Sequence, residues 1–161
     1  MSRIEQKLRS LDLALPPPMS LPPGVALPFP WVRIVGRRAL ISGHGPQASD
    51  GTVAEPRGKV GRELTVEDGY ATARAAALSI LASLRQELGD LDRVKRVIRL
   101  FGMVNVAPGF DRMPQVIDGA SDFFYELFGP KFGQHARTAV GMAELPHGIP
   151  VEINGEFELK V

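Results

Sequence analysis

The 161-residue chain contains no cysteine. Disulfides, thiolate zinc sites, iron–sulfur clusters and thiol nucleophiles are therefore excluded, and a reducing compartment, the cytoplasm, suits such a chain best. An excess of charge of one sign is missing too: 19 Lys and Arg stand against 18 Asp and Glu, a net charge of +1. No global field is left to attract a polyanion, so nucleic acid is not an expected partner. The first thirty residues carry charges in SRIEQKLRS and then a proline cluster, without an apolar run of signal-peptide or membrane-spanning length. No membrane partner is expected. Histidine is scarce, and His44, His135 and His147 lie far apart with none of the paired spacing of a metal site.

What is present points to a single folded domain, long enough to bury roughly 70% of its unfolded surface without staples. Ser2 is placed to cap a short helix reaching Leu13, with Glu5 in the capping-box position. In LPPPMSLPPGVALPFP each proline removes a donor and fixes a backbone angle, which rules out a regular helix or a central strand. Residues 1–23 read as an N-terminal helix and proline-rich extension, and residues 24–161 as one domain. WVRIVG and RALISG flank Gly36-Arg37 as a hairpin. The twenty residues 44–63, rich in Gly, Pro and charge, are longer than most loops and are a candidate rim for a pocket.

The clearest helix follows, with Thr65 as N-cap, Glu67 and Asp68 in its first turn and Gly89 as its stop. Alanines 71, 73, 75, 76 and 77 thin one flank for close packing, and Leu78, Leu81 and Leu84 supply larger knobs. RVKRVIRLFGMV reads as a strand, and Met113 to Phe128 as a second helix with Pro114 in its first turn, ended by Gly129-Pro130. Two final strands, from His135 and from Val151, are expected as a pair joined by a Pro-Gly-Pro turn. In the last one Val151, Ile153, Phe157 and Leu159 share one face and Glu152, Asn154, Glu156 and Glu158 the other. The order predicts an α+β, two-layer domain in which two helices cover one face of a mixed sheet. Its other face stays open, with Thr138, Val140 and Met142 on the alternate side to Ala139, Gly141 and Ala143, and a partner subunit would cover it.

Familiar catalytic motifs are absent. SGHGP lacks the elbow of a serine hydrolase, GKVG is followed by no Lys-Ser or Lys-Thr pair, and no dinucleotide fingerprint occurs. No cofactor is expected. DRVKRVIR lacks the aromatic interleaving of an RNA surface and reads as a solvated strand edge.

Four segments taken together, SGHGP, ELGDLDRV, DGASDFFYELFG and HARTAVGMAELPHGIPVEINGEFEL, resemble the Rid family, also called YjgF or endoribonuclease L-PSP-like proteins. The chain is most similar to a longer subgroup with GASD and HARxAVG segments. This resemblance implies a chorismate-mutase-like fold, a homotrimer and ligand clefts between subunits. It implies hydrolysis of reactive enamines and imines, such as 2-aminoacrylate, to a 2-keto acid and ammonia. Arg137 matches the arginine that holds the substrate carboxylate, a task suited to a planar fork left free to make two parallel bonds. Glu152 matches the glutamate fifteen residues on, which can position or deprotonate the attacking water. Ser42 and Gly43 match a turn beside the pocket. His44 replaces a common glutamine, Phe29 stands near a tyrosine, and Asp118 near an asparagine of relatives. A sensor or carrier for small carboxylates, and the ribonuclease that the family's label suggests, stay open as alternatives.

Overall fold

Reciprocal capping boxes start two of the helices in the computed structural model, which describes residues 2–19 and 21–160. Met1, Ser20 and Val161, which the expected segments 1–23 and 24–161 include, lie outside the described residues. At α1 (Arg3–Ser10), Ser2 Oγ accepts from Glu5 N at 3.0 Å while Glu5 accepts from Ser2 N at 2.7 Å. At α2 (Val66–Leu88), Thr65 Oγ1 accepts from Asp68 N at 3.1 Å and Asp68 from Thr65 N at 2.9 Å. Each box satisfies two amide donors that a helix start otherwise leaves orphaned. Gly89 closes α2 in the left-handed region at φ 74°, where a side chain would be strained.

Five strands form one mixed sheet: β1 (Val32–Val35), β2 (Arg38–His44), β3 (Val94–Asn105), β4 (Ala136–Met142) and β5 (Val151–Leu159). Their spatial order is β1-β2-β5-β3-β4, antiparallel throughout except for the parallel pair β3 and β4. The two final strands are therefore not a pair, as the sequence suggested. β3 sits between them, because the intervening turn carries the chain across β3 rather than folding it back on itself. The hairpin at Gly36-Arg37 forms as expected.

α2 and α3 (Met113–Gly133) cover one face of the sheet. Ala73, Ala76 and Ala77 are fully buried, and the thin flank lets the helices approach until a Cβ on Gly119 would overlap the carbonyl of Tyr70. Val116, Ile117, Ala120, Phe124 and Leu127 are buried as the periodicity predicts, and Phe124 meets Phe157 of β5 edge-on with centroids 5.5 Å apart. Burial of each of the larger side chains among these contributes about 1.5–3 kcal/mol. The α3 segment passes its expected end, but helical geometry does break at Gly129, φ 76°. One further turn then leads to Gly133.

The N-terminal helix joins the same core through Ile4 and Leu8. Its first amides, Arg3 N and Ile4 N, donate to the Asp92 carboxylate at 2.8 and 3.0 Å, and Arg85 Nε donates to Glu5 at 2.6 Å. The bond from Arg85, and after it that from the Ser2 amide, holds the Glu5 pKa at about 2, well below its usual range.

The sheet face away from the helices carries Leu40, Phe101, Met103 and Val140 beside a charged cluster. There Arg38 and Arg99 flank Glu156, and Lys95 and Arg96 flank Glu158, each 2.9 Å away. Among the described residues no helix is long and apolar enough to cross a membrane, and no group of three His, Cys, Asp or Glu is placed to hold a metal ion.

Candidate functional site

The residues singled out in the sequence fall into two separate groups on the chain. Glu152 marks the first. It alternates with the buried Val151 and Ile153 on β5, so its carboxyl leaves the sheet on the face away from the helices. There it lies against Gly43, where a bulge in β2 brings the backbone so close that a Cβ would overlap Glu152 Oε1. Only glycine fits. A cavity of about 490 Å3 opens over this pair, walled by Phe29 and Trp31, by the 44–63 loop through Pro46, Thr52, Val53 and Arg57, and by His147. Partial burial, with no cation paired to it among the described residues, pushes the Glu152 carboxyl up from its ordinary value.

The loop that rims this cavity is held from behind. Lys59 Nζ donates to Asn105 Oδ1 at 2.8 Å and to the Ala143 carbonyl, and it pairs with Glu144 at 3.1 Å. Gly58 N donates to the Gly148 carbonyl at 2.8 Å. The loop is thus a wall of the cavity, the rim that its length and composition had suggested.

Phe29 and Gly43 line the cavity, whereas Ser42 and His44 turn away from it. Ser42 Oγ donates to the Pro30 carbonyl at 2.8 Å, pinning the proline-rich segment to β2. His44 is fully buried against α2, with Nδ1 donating to the Ser42 carbonyl at 2.7 Å and Nε2 accepting from Ser83 Oγ at 2.8 Å. Burial lowers its pKa, partly offset by the Ser42 carbonyl, so the imidazole is a neutral structural group.

Arg137 and Asp118 form the second group. Arg137 is in register with Leu100 on β3 and, through it, with Gly155 on β5, so it lies on the helix-covered face, opposite Glu152. Within one chain the two residues do not share a cavity. β4 is an edge strand, so Arg137 sits at the rim of the sheet under α3. Nor is its fork wholly free, as the sequence reading anticipated: Nη1 donates to Asp118 Oδ1 at 2.7 Å and to Ser121 Oγ at 3.1 Å. Nη2 has a long contact, 3.4 Å, to the Pro114 carbonyl, and Nε has no acceptor among the described residues.

Ser121 and His135 were not singled out as site residues, yet they complete this cluster. Ser121 Oγ and His135 Nε2 are 2.9 Å apart, and His135 Nδ1 is 2.6 Å from the Gly133 carbonyl. The break at Gly129 and the turn after it aim that carbonyl at the ring. Available signals were the GASD and HARxAVG segments themselves: Ser121 lies in the first, His135 and Arg137 in the second. Arg57, Trp31 and His147 of the cavity were also missed, since nothing in their local spacing marks them.

This fold and these segments place the chain in a family: it belongs to the one described as "YjgF/chorismate_mutase-like, putative endoribonuclease", whose model matches residues 20–148. Protein TCP17 of Trypanosoma cruzi is 44% identical over 124 residues, covering 77% of this chain and 76% of that protein. The crystal structure of Atu1372 from Agrobacterium tumefaciens, a protein of unknown function, superposes with a TM-score of 0.85 at 36% identity, covering 98% of this chain and 92% of that one. One from Shewanella oneidensis MR-1, called a "putative endoribonuclease", gives 0.84 at 33% identity over 97% and 99% of the two chains.

Proposed function

We propose that the protein hydrolyses small carboxylated enamines and imines to 2-keto acids and ammonia, in clefts shared between copies of the chain in a cytoplasmic homotrimer. The observation that carries this reading is the separation of the two groups. Among the described residues Glu152 in its cavity has no cation paired with it and Arg137 stands on an unpaired sheet edge, so a second copy's edge laid over the cavity would unite base and carboxylate holder. The apolar residues Phe101, Met103 and Val140 on the open face favour such an assembly. In the joined cleft Arg137 binds the carboxylate through Nε and Nη2, while Glu152 takes a proton from the water that adds to the C=N carbon. Breaking the C–N bond then releases ammonia. The experiment is to generate 2-aminoacrylate with a dehydratase and follow keto acid release. We expect the native chain to accelerate it, Glu152→Gln to lower kcat by about 10²–10⁴-fold and Arg137→Ala to raise KM. A native protein no faster than buffer removes the reading.

A second reading, RNA cleavage, draws support from the cavity, where Glu152, His147 and Arg57 stand with the aromatic walls Phe29 and Trp31. A carboxylate, an imidazole and a guanidinium can together move protons around a phosphate. The net charge of +1 supplies no track for a strand, so it ranks below the first. RNA cleavage by a nuclease-free preparation, abolished in Glu152→Gln, would reverse that order.

A further inference from the structure

Asp118 changes what the Arg137 end of the cleft can hold. A lone guanidinium offers a net positive charge and attracts any carboxylate. Here the partner carboxylate is 2.7 Å from Nη1, and the pair is neutral as a unit. The pair is not sealed off: the Asp118 side chain is 47% exposed and that of Arg137 22%. Asp118 Oδ2 accepts no hydrogen bond among the described residues, and Arg137 Nε donates none. An acceptor and a donor of opposite charge thus lie side by side, each with an unused position.

We infer that Asp118 and Arg137 together select a zwitterion, an α-amino acid or the iminium form of a 2-imino acid, over the anionic 2-oxo acid. This rests on the placement of the ligand carboxylate at Arg137 proposed above. The ligand carboxylate accepts from Arg137 Nε and Nη2, and its adjacent N–H⁺ donates to Asp118 Oδ2. Two opposite charges on neighbouring atoms of the ligand match two opposite charges on neighbouring residues. A 2-oxo acid satisfies the arginine but brings a second negative charge beside Asp118 with no donor to answer it, an arrangement that costs affinity.

The reaction gains in two ways. A protonated C=N carbon is more electrophilic than a neutral one, and Asp118 favours the protonated form. For the simplest substrate the balance is CH3–C(=NH2⁺)–COO⁻ + H2O → CH3–CO–COO⁻ + NH4⁺. The product has lost the positive charge that Asp118 held, so it leaves the site that retained its precursor.

Binding of L-alanine, a stable zwitterion, and of pyruvate to the full chain tests this without any turnover, by calorimetry or ligand-observed NMR at pH 7.5. We expect alanine to bind at least tenfold more tightly than pyruvate, and Asp118→Asn to abolish or invert that ratio while keeping the fold and oligomeric state. Equal binding of the two ligands by the native protein, binding of neither, or an unchanged ratio in Asp118→Asn overturns the inference. Should Asp118→Asn fail to fold, the native ratio alone decides. Failure of the 2-aminoacrylate assay with the alanine preference intact would remove the hydrolysis and leave the ligand selectivity standing.

Discussion

Ser121 Oγ lies 2.9 Å from His135 Nε2, and the direction of the proton between them is fixed by their neighbours. His135 Nδ1 faces the Gly133 carbonyl at 2.6 Å and must donate, which leaves Nε2 bare. Ser121 therefore donates to His135 and offers its lone pair to Arg137 Nη1. Burial lowers the His135 pKa, opposed by the Gly133 carbonyl and reinforced by the Arg137 charge. Arg96 and Lys131 line the same groove and add no anion. Protonated His135 could no longer accept from Ser121, and the serine would lose its orientation toward the guanidinium. Ligand affinity at Arg137 should fall as pH drops from 7.5 to 5. Ser121→Ala should weaken it by about tenfold at pH 7.5, the size of a lost bond to a charged group, and flatten the pH profile. Titrations of L-alanine at several pH values check this, and a profile as steep in Ser121→Ala as in the native chain would refute it.

Acid should also destabilise the fold through His44. In the unfolded chain its imidazole takes up a proton below about pH 6.5. In the native state burial holds its pKa lower, so the unfolded state binds the proton first. The stability tied to the neutral ring is complete above that pH and is lost below it, by at most about 1.4 kcal/mol per pH unit. His44→Gln should lose less stability than the native chain between pH 7.5 and 5.5 in urea unfolding. Parallel losses in the two proteins would show that another group governs the acid limb.

Gly119→Ala should lower stability by about 1–3 kcal/mol, as overpacking does. The added methyl meets a backbone carbonyl, Tyr70 O, and neither α2 nor α3 has a flexible atom to move aside. For a domain of this size each kcal/mol appears as roughly 2–4 °C in Tm. An unchanged Tm would show that the contact between α2 and α3 yields without cost.

Much of this molecule could be read from its residues. Thr65, Gly89 and the Val151 alternation are local signals, and local signals gave the elements they start, end or face. Strand neighbours were less legible, because β4 reaches its place beside β3 by a choice among sheet edges that no short stretch encodes. The site divided in the same way. Glu152 and Gly43 were found together, because resemblance marked both. The bond between Arg137 and Asp118 spans nineteen residues and depends on how α3 lies over β4, so spacing alone could not show that the cation already had an acid beside it. Ser121 and His135 lay in the quoted segments but looked like ordinary helix and loop polar residues until the break at Gly129 brought them face to face.

The segment between α1 and β1 roofs the Glu152 cavity with Met19, Leu21 and Pro22, and it is moored at both ends. Upstream, α1 is clamped by Asp92 and Arg85; downstream, Ser42 holds Pro30. A strap tied down at both ends has fewer conformations open to it than a loose tail of the same length. The roof over Glu152 and the seating of α1 are thus parts of one stretch of chain, with the Glu5–Arg85 ion pair at its upstream anchor.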